Sequence, residues 1–442
     1  MKRIAVVGTG YVGAVVAASL AAAGHEVVGI EVDETRLASL RDGIVPFHEP
    51  GLPELITAQI ERGALSFTDS YESGIAGAEV VFLCVGTPSA PDGNPDTTHV
   101  ESAARSIAGA ITNPVVIVTK STVPIGSGRW LDELIDDERV SVVSNPEFLR
   151  EGTALGDFLH PDRVVLGSDD PTAIATLVDT YRPILEQTFT GGRPDHRPGL
   201  VRTNLETAEI VKYAANAFLA MKISFINEVA QLADAVGADV TEVASAIGMD
   251  ERIGASFLAA GIGWGGSCFG KDLAALQATA QRHGVESLIT GAVVAVNDGQ
   301  IDFVVDKVRD QLDLQGSRIA LLGLAFKPGT DDLRDAPSLK LARRLIDAGA
   351  AVTAYDPIVT SVPEMDDLTI AASWSEAISG ADATIVVTEW DEFLSINLER
   401  LATEMSGTLL VDARNAFDAA AAVEAGLTYI GIGRGAHTPP SA

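Results

Sequence analysis

Residues 2–7 read KRIAVV, a charged pair followed by four apolar positions rich in β-branched side chains. That pattern predicts a short buried strand. After Gly8-Thr9-Gly10 the apolar run reaches helix length and ends near Gly24, and HEVVGIEVD (25–33) returns to strand. AEVVFLCVG (78–86), NPVVIVTKST (113–122) and RVSVVSNPE (139–147) predict further strands, with helical stretches between them. Strand and helix alternating in this way signal a doubly wound parallel sheet. The series breaks at GGRPDHRPG (191–199), a loop rich in Gly and Pro. From residue 203 a long run places apolar residues three and four apart, and helical segments continue to about 312, interrupted by GWGGSCFGKD (263–272). RIALLGLAFK (318–327) opens a second alternating series, continued by AAVTAYDP, ADATIVVTEW and GTLLVDARN. The expected fold is α/β, with two Rossmann-like doubly wound domains joined by a central helical domain carrying a long spine helix. The expected divisions are 1–200, 201–312 and 313–442.

Composition narrows the partners. Hydrophobic residues make up 47% of the 442, so large cores are expected and wholesale disorder is not. Asp and Glu number 61 against 31 Lys and Arg, a formal net charge of -30. That balance disfavours a nucleic-acid partner, which needs a basic footprint, and none is expected. A phosphate-bearing small molecule is not disfavoured, because local amides and a few cations hold it. Two cysteines, Cys84 and Cys268, make no disulfide scaffold and fit a reducing compartment. The N-terminus imitates a signal peptide, but Gly8, Gly10 and Gly13 interrupt the apolar run in a specific pattern and another strand follows. No uninterrupted apolar stretch reads as long enough to span a bilayer. The expectation is a cytoplasmic protein without a membrane partner.

Gly8-Thr9-Gly10-Tyr11-Val12-Gly13 matches GxGxxG between a strand and a helix, and Glu31 ends the next strand about 20 residues on. Gly8 gives the tight turn, Gly10 admits the pyrophosphate, and Gly13 lets helix and strand approach. The helix N-terminus, with the amides of Tyr11 and Val12, takes the phosphates. Glu31 accepts from the ribose hydroxyls and repels a 2′-phosphate, which favours NAD over NADP. Arg36 lies close enough to soften that preference, or is a solvated helix charge.

Cys84, inside VVFLCVG, reads as a small buried hydrophobe. Cys268 differs: Gly265 and Gly266 let backbone approach a ligand, and Lys271 and Asp272 lie near enough to affect its ionisation. A thiolate beside a nicotinamide can add to an aldehyde, and the adduct can lose hydride to give a thioester that water hydrolyses. Local sequence alone leaves Cys268 between that role and a structural loop cysteine.

Seven motifs occur in order: VVGTGYVG, VGTP (85–88), KSTVPIG (120–126), NPEFLREGTALGDFLHPDRVVLG (145–167), KYAANAF (212–218), FLAAGIGWGGSCFGKD (257–272) and GLAFKPGTDDLRDAPS (323–338). Together, over nearly the whole chain, they resemble the UDP-glucose/GDP-mannose dehydrogenase family. GGSCFGKD and HPDRVVLG resemble most the members that act on UDP-glucose. The resemblance implies oxidation of the C6 alcohol of UDP-glucose to a carboxylate, with two NAD, to yield UDP-glucuronate. It implies Cys268 as nucleophile. Lys212 and Asn216, one helical turn apart on one face, reach the sugar C6 oxygen. Asp272 orients water or shares a proton with Lys212, Glu147 is base for thioester hydrolysis, and Thr122 holds the water or Glu147. It further implies a sugar-nucleotide pocket of Glu147, Phe148, Leu149, Arg150, Glu151, Lys212, Asn216, Phe257, Leu258, Gly261 and Gly265. Phe326 and Lys327 cover the uridine and diphosphate, Arg414 contacts nucleotide or sugar, and Arg252 reaches a neighbouring subunit. Around NAD it implies Thr87, Thr122, Glu151, Lys271 and Arg334. Domain closure and a homodimer through the central helices complete the expectation.

The chain departs from the family pattern at Trp264, where Phe or Tyr is usual, at Ala259, where some relatives carry Lys or His, at Glu31 in place of Asp, and at FHEPG (47–51). None removes a catalytic group. Ala259 leaves the finer substrate preference open among UDP-glucose, GDP-mannose and UDP-N-acetylhexosamines. A two-electron dehydrogenase would not need Cys268, and a non-catalytic nucleotide-sugar or NAD sensor would not need Lys212, Cys268 and Asp272 together.

Overall fold

The computed structural model of the chain describes residues 1–88 and 95–439. The chain forms two compact units, residues 1–215 with 274–283, and residues 216–273 with 284–442.

The first unit is built on eight strands: β1 Arg3–Val7, β2 Glu26–Ile30, β3 Leu65–Thr68, β4 Val80–Leu83, β5 Val115–Thr119, β6 Val140–Ser144, β7 Arg163–Gly167 and β8 Gly199–Thr203. They lie in the order β3-β2-β1-β4-β5-β6-β7-β8. All neighbours are parallel except β6 and β7, which meet antiparallel at Ser144 and Gly167. The first six positions follow the dinucleotide-binding order, with its switch point between β1 and β4. Alternation along β1 explains how both faces are covered. Ile4 and Val6 belong to one core, with Leu20, Leu40 and Phe82, while Ala5 and Val7 belong to the other, with Leu83, Ile107 and Ile117.

The helix Tyr11–Ala22 buries every residue from Gly13 to Ala21. A helix enclosed on all sides is apolar on all sides, which is why this segment imitates a signal peptide. Three strands of this sheet lie outside the sequence expectation. β3 is four residues long, β7 lies within HPDRVVLG, and β8 runs through residue 200.

The second unit repeats the design with β9 Arg318–Leu322, β10 Ala351–Tyr355, β11 Thr369–Ile370, β12 Ala383–Val386, β13 Leu409–Asp412, β14 Thr428–Gly431 and β15 Ala436–His437. The order is β11-β10-β9-β12-β13-β14-β15, parallel except between β14 and β15. Its first six positions reproduce the order of the first sheet. The fold is therefore two doubly wound, parallel-dominated sheets, with a helical stretch of sequence between them.

That stretch begins with the 32-residue helix Leu205–Val236, which runs across the division between the units. The helix Leu288–Arg309 is the one described helix long and apolar enough, by length and composition, to cross a bilayer, although Asn297, Asp298, Gln300 and Asp302 interrupt its apolar run. It places Ile301, Val304, Val305 and Val308 in the core of the second unit, beside Ile319 and Leu341, and it carries Asp298, Asp302 and Asp306.

Candidate active site

In the first unit β1 ends at Val7 and the chain turns at Gly8, with φ +82°. A Cβ on Gly13 would lie 1.9 Å from the Gly8 carbonyl oxygen, so turn and helix close on each other only with glycine there. Gly10 caps the following helix without a side chain, and a Cβ built on it meets nothing within 4 Å. The space above the helix N-terminus is open, and the amides of a first helical turn have no intrahelical acceptor. This cradle fits the pyrophosphate of a dinucleotide.

Glu31 follows β2 and is buried. Its Oε2 accepts from Thr9 N (3.3 Å), Thr9 Oγ1 (3.0 Å) and Arg36 Nη1 (3.2 Å), and its Oε1 accepts from Asp33 N (3.0 Å). Arg36 is thus an ion-pair partner of Glu31. The buried Glu31 carboxylate stands where a 2′-phosphate would meet a like charge, which favours NAD. Thr87 and Thr122, in the loops after β4 and β5, are joined: Thr87 Oγ1 donates to the Thr122 carbonyl at 2.8 Å.

Glu147 lies just beyond β6 and is 7% exposed. It accepts from Lys212 Nζ and from Leu149 N, each at 2.6 Å. Burial pushes the Glu147 carboxyl up, but the adjacent Lys212 ammonium and the Leu149 amide outweigh it and hold the group below its usual range. Lys212 Nζ also lies 5.7 Å from the centre of the Phe148 ring, which the Arg163 guanidinium covers at 3.9 Å. Of the other segment residues, Arg150 is held by Asp157 (2.5 Å), Glu151 is half-buried, and Leu149 packs against the first-unit core.

Behind this pair lies Lys120, which the sequence reading did not single out. It is 6% exposed and donates to Asn145 Oδ1 (3.1 Å) and the Pro146 carbonyl (3.4 Å). Burial drives its pKa down to about 8. The thiol of Cys84 is buried and pushed up to about 12, also by burial, as expected of a core cysteine.

The second unit holds the glycine-rich loop. Gly261 N donates to Asn227 Oδ1 (2.8 Å) and its carbonyl accepts from Gln300 Nε2 (2.7 Å). Trp264 exchanges two hydrogen bonds with Asn297, at 2.8 and 3.0 Å, and its indole donates to Ser224 Oγ (3.0 Å). The tryptophan at this position is therefore framework. A Cβ on Gly265 would lie 2.2 Å from the Asp335 carbonyl, and one on Gly266 2.7 Å from the Phe326 ring. The loop after β9 thus presses on the glycines that precede Cys268. Phe257, an aromatic residue at φ +65°, opens the loop in a strained conformation, and Leu258 is buried behind it.

Cys268 is half-buried at the start of the helix Phe269–Arg282, and its carbonyl accepts from Asp272 N (2.9 Å). A thiol at a helix N-terminus is placed where a thiolate is favoured. Asp272 is fully buried and accepts from Asn216 Nδ2 (2.6 Å) and Lys271 Nζ (2.8 Å). Lys271, expected near NAD, is here the counter-charge of Asp272. Arg414 donates to the carbonyls of Val387 (2.7 Å), Phe326 (3.3 Å) and Gly263 (3.4 Å), bracing the loop that carries Cys268. Lys327 lies over the Phe326 ring at 5.6 Å. Arg252 and Arg334 are exposed and paired with Asp250 and Asp332.

Sequence reasoning missed the polar side chains that hold this machinery, namely Asn145, Ser224, Asn227, Asn297 and Gln300. Their one signal is an amide or hydroxyl at a position whose helical or strand neighbours are apolar.

Three family models match in order. The NAD binding domain of the UDP-glucose/GDP-mannose dehydrogenase family covers residues 2–185, its central domain 206–299 and its UDP binding domain 320–419. A UDP-glucose 6-dehydrogenase of Rhizobium meliloti is 44% identical, covering 98% of this chain and 99% of its own. A solved UDP-glucose dehydrogenase from Pyrobaculum islandicum superposes with a TM-score of 0.88 at 37% identity, over 98% of each chain. A UDP-D-ManNAc dehydrogenase from Pyrococcus horikoshii gives 0.85 at 27% identity, over 98% of this chain and 99% of that one.

Proposed function

Because this chain belongs to the UDP-glucose/GDP-mannose dehydrogenase family, whose members are NAD-dependent dehydrogenases, we propose that it oxidises UDP-glucose to UDP-glucuronate in four electrons. The observation that carries the reading is Cys268, a half-buried thiol at a helix N-terminus, preceded by a loop where only glycine fits at 265 and 266. The likeness to proteins named for UDP-glucose supplies the substrate.

NAD, when bound, accepts hydride from C6, once from the alcohol and once from the thiol adduct. The side chains handle the protons and the covalent step. In the first oxidation the C6 hydroxyl proton leaves to a water oriented by Asp272, while Lys212 and Asn216 donate to the C6 oxygen as it gains negative charge. The Cys268 thiolate adds to the aldehyde carbon, and the adduct becomes a thioester when the second hydride leaves. Glu147, kept ionised by Lys212, takes a proton from the water that attacks the thioester. The C–S bond breaks, and carboxylate and thiolate are released. Asp272 fixes the Asn216 amide, while Thr122 and Thr87 steady the loops at the cofactor. Phe326, Lys327, Arg414, Phe257 and Gly261 line the nucleotide side.

We also infer a homodimer. Phe218, Phe225 and Leu232 recur every seven residues on one helix and are 58%, 53% and 62% exposed, a row that a second copy would cover. A thiolate mechanism supplied with NAD and nucleotide sugar suits the cytoplasm.

The test is the NADH released per UDP-glucose consumed, with Cys268→Ser in parallel. Two NADH from the parent chain, and a variant that stalls at or before the aldehyde, is the expected result. One NADH from both would overturn the thioester route. Activity only with GDP-mannose or a UDP-N-acetylhexosamine would keep the chemistry and replace the substrate.

A further inference from the structure

The segment 147–154 carries groups of the proposed substrate and cofactor sites, and a second residue ties it to the dinucleotide turn. Glu49, in FHEPG, is 3% exposed. Its Oε1 accepts from Ala154 N at 2.8 Å, and its Oε2 accepts from Gly152 N at 2.6 Å. The same Oε2 takes a short hydrogen bond from the Tyr11 hydroxyl. Tyr11 opens the helix whose N-terminus forms the phosphate cradle, and its ring lies 5.0 Å from that of Phe47. Burial raises the Tyr11 hydroxyl well above its ordinary range, so it remains a donor at every working pH. Gly152 has φ +79°, and Ala154 begins the short helix Ala154–Leu159. Glu49 therefore fixes the point where the segment 147–154 leaves its left-handed turn, and it takes its own position from a side chain of the cofactor turn.

We propose that Glu49 is a positioning residue that couples NAD binding at the Gly8–Gly13 turn to ordering of the 147–154 segment, with Tyr11 as the link. NAD restrains the first turn of the Tyr11 helix. A restrained Tyr11 hydroxyl restrains the Glu49 carboxylate, and the carboxylate holds the Gly152 and Ala154 amides. By reciprocity, a ligand that orders the segment raises affinity for NAD by the same factor. The inference rests on NAD binding by the first unit and does not depend on which nucleotide sugar is oxidised.

The test is amide hydrogen exchange by mass spectrometry with and without NAD, reading one peptide over 5–22 and another over 147–156. In the parent chain NAD should slow exchange in both, the second by roughly fivefold or more. In Tyr11→Phe the 5–22 peptide should still be protected, while the effect on 147–156 should disappear. Glu49→Gln should behave likewise, and far-UV circular dichroism checks that each variant folds. Unchanged protection of 147–156 in Tyr11→Phe would overturn the coupling, because NAD would then act on the segment directly. Protection of 5–22 alone in the parent chain would also overturn it. Protection of neither peptide would instead overturn the dinucleotide reading of the turn.

Discussion

Replacing Lys120 by Met tests whether a cation is buried behind Glu147. The Lys120 ammonium has two hydrogen bonds, to Asn145 Oδ1 and the Pro146 carbonyl, and lies 5.6 and 5.8 Å from the ring centres of Phe158 and Tyr181. Burial lowers its pKa from 10.5 to about 8, against the pull of the Glu147 charge. The sign follows from linkage. Between pH 8 and 10.5 the unfolded chain holds a proton that the folded chain has lost, so stability rises with pH across that window. Below pH 8 both states are charged and the full cost of burying the cation applies. At roughly 1.4 kcal/mol per pH unit, the cost is about 3 kcal/mol, and the rise between pH 7 and pH 10 is about 2 to 3 kcal/mol. Methionine has similar length and no charge, and the Tyr181 hydroxyl, 2.6 Å from Asn145 Oδ1, still satisfies that oxygen. Urea denaturation at pH 7, 8.5 and 10, followed by circular dichroism, gives the stability of parent and Lys120→Met at each pH. The parent-minus-variant difference should climb by the stated amount. A difference independent of pH would refute the reasoning, since Lys120 would then keep an ordinary pKa in the folded chain.

Three more outcomes are expected. Glu147→Gln leaves the Lys212 ammonium buried without its counter-charge and should cost on the order of 3–5 kcal/mol in urea denaturation. Adding Lys212→Met should recover part of that loss, because of the two neighbouring ammonium groups only Lys120 then remains buried without Glu147. His25 is buried, its Nδ1 facing Lys2 N (3.2 Å) and its Nε2 the Thr180 carbonyl (2.9 Å), and burial lowers its pKa. Folding then loses stability as pH falls below the unfolded value of about 6.5, and His25→Gln should flatten urea midpoints between pH 7 and pH 5. Iodoacetamide at pH 8 should modify Cys268 and spare Cys84, whose ionised fraction at a pKa near 12 is roughly one in ten thousand. Peptide mass spectrometry reads this, and equal labelling would contradict the burial of Cys84.

Much of this was legible in the chain, and the gaps have physical causes. Strands β1, β2, β4, β5 and β6 are apolar runs buried on both faces, and such runs stand out. β3 is only four residues long, and its partly exposed pattern resembles a loop. β8 follows a loop full of Gly and Pro and is largely exposed, so neither periodicity nor composition marks it. Groups with chemistry of their own, such as Cys268 and the GxGxxG turn, were visible because glycine spacing announces them. Glu49, Lys120, Asn227 and Asn297 were not, because a buried polar residue is defined by partners far away in sequence. The Glu49 carboxylate meets amides 103 and 105 residues on.

The two sheets share the order of their first six strands, so topology offers the same crevice at each switch point, and the residues at the strand ends decide what it can hold. At the first, Glu31 Oε1 accepts one hydrogen bond among the described residues, from Asp33 N, which leaves a lone pair for a ribose hydroxyl. At the second, Asp356 follows β10 in the corresponding place, but its Oδ2 takes Leu324 N (2.8 Å), Ala325 N (3.1 Å) and Trp390 Nε1 (3.1 Å). Its Oδ1 takes Ile358 N and Val359 N, both at 3.0 Å. Five donors exhaust a carboxylate with about four lone-pair sites. Ala325 stands in the second turn where Gly10 stands in the first and is buried, so the turn after β9 is packed by protein, while a Cβ on Gly10 would meet open space. The second crevice has thus used its acid to fasten the loop that carries Phe326 and Lys327. Of the two acids, Glu31 is the one that keeps an acceptor for a dinucleotide ribose.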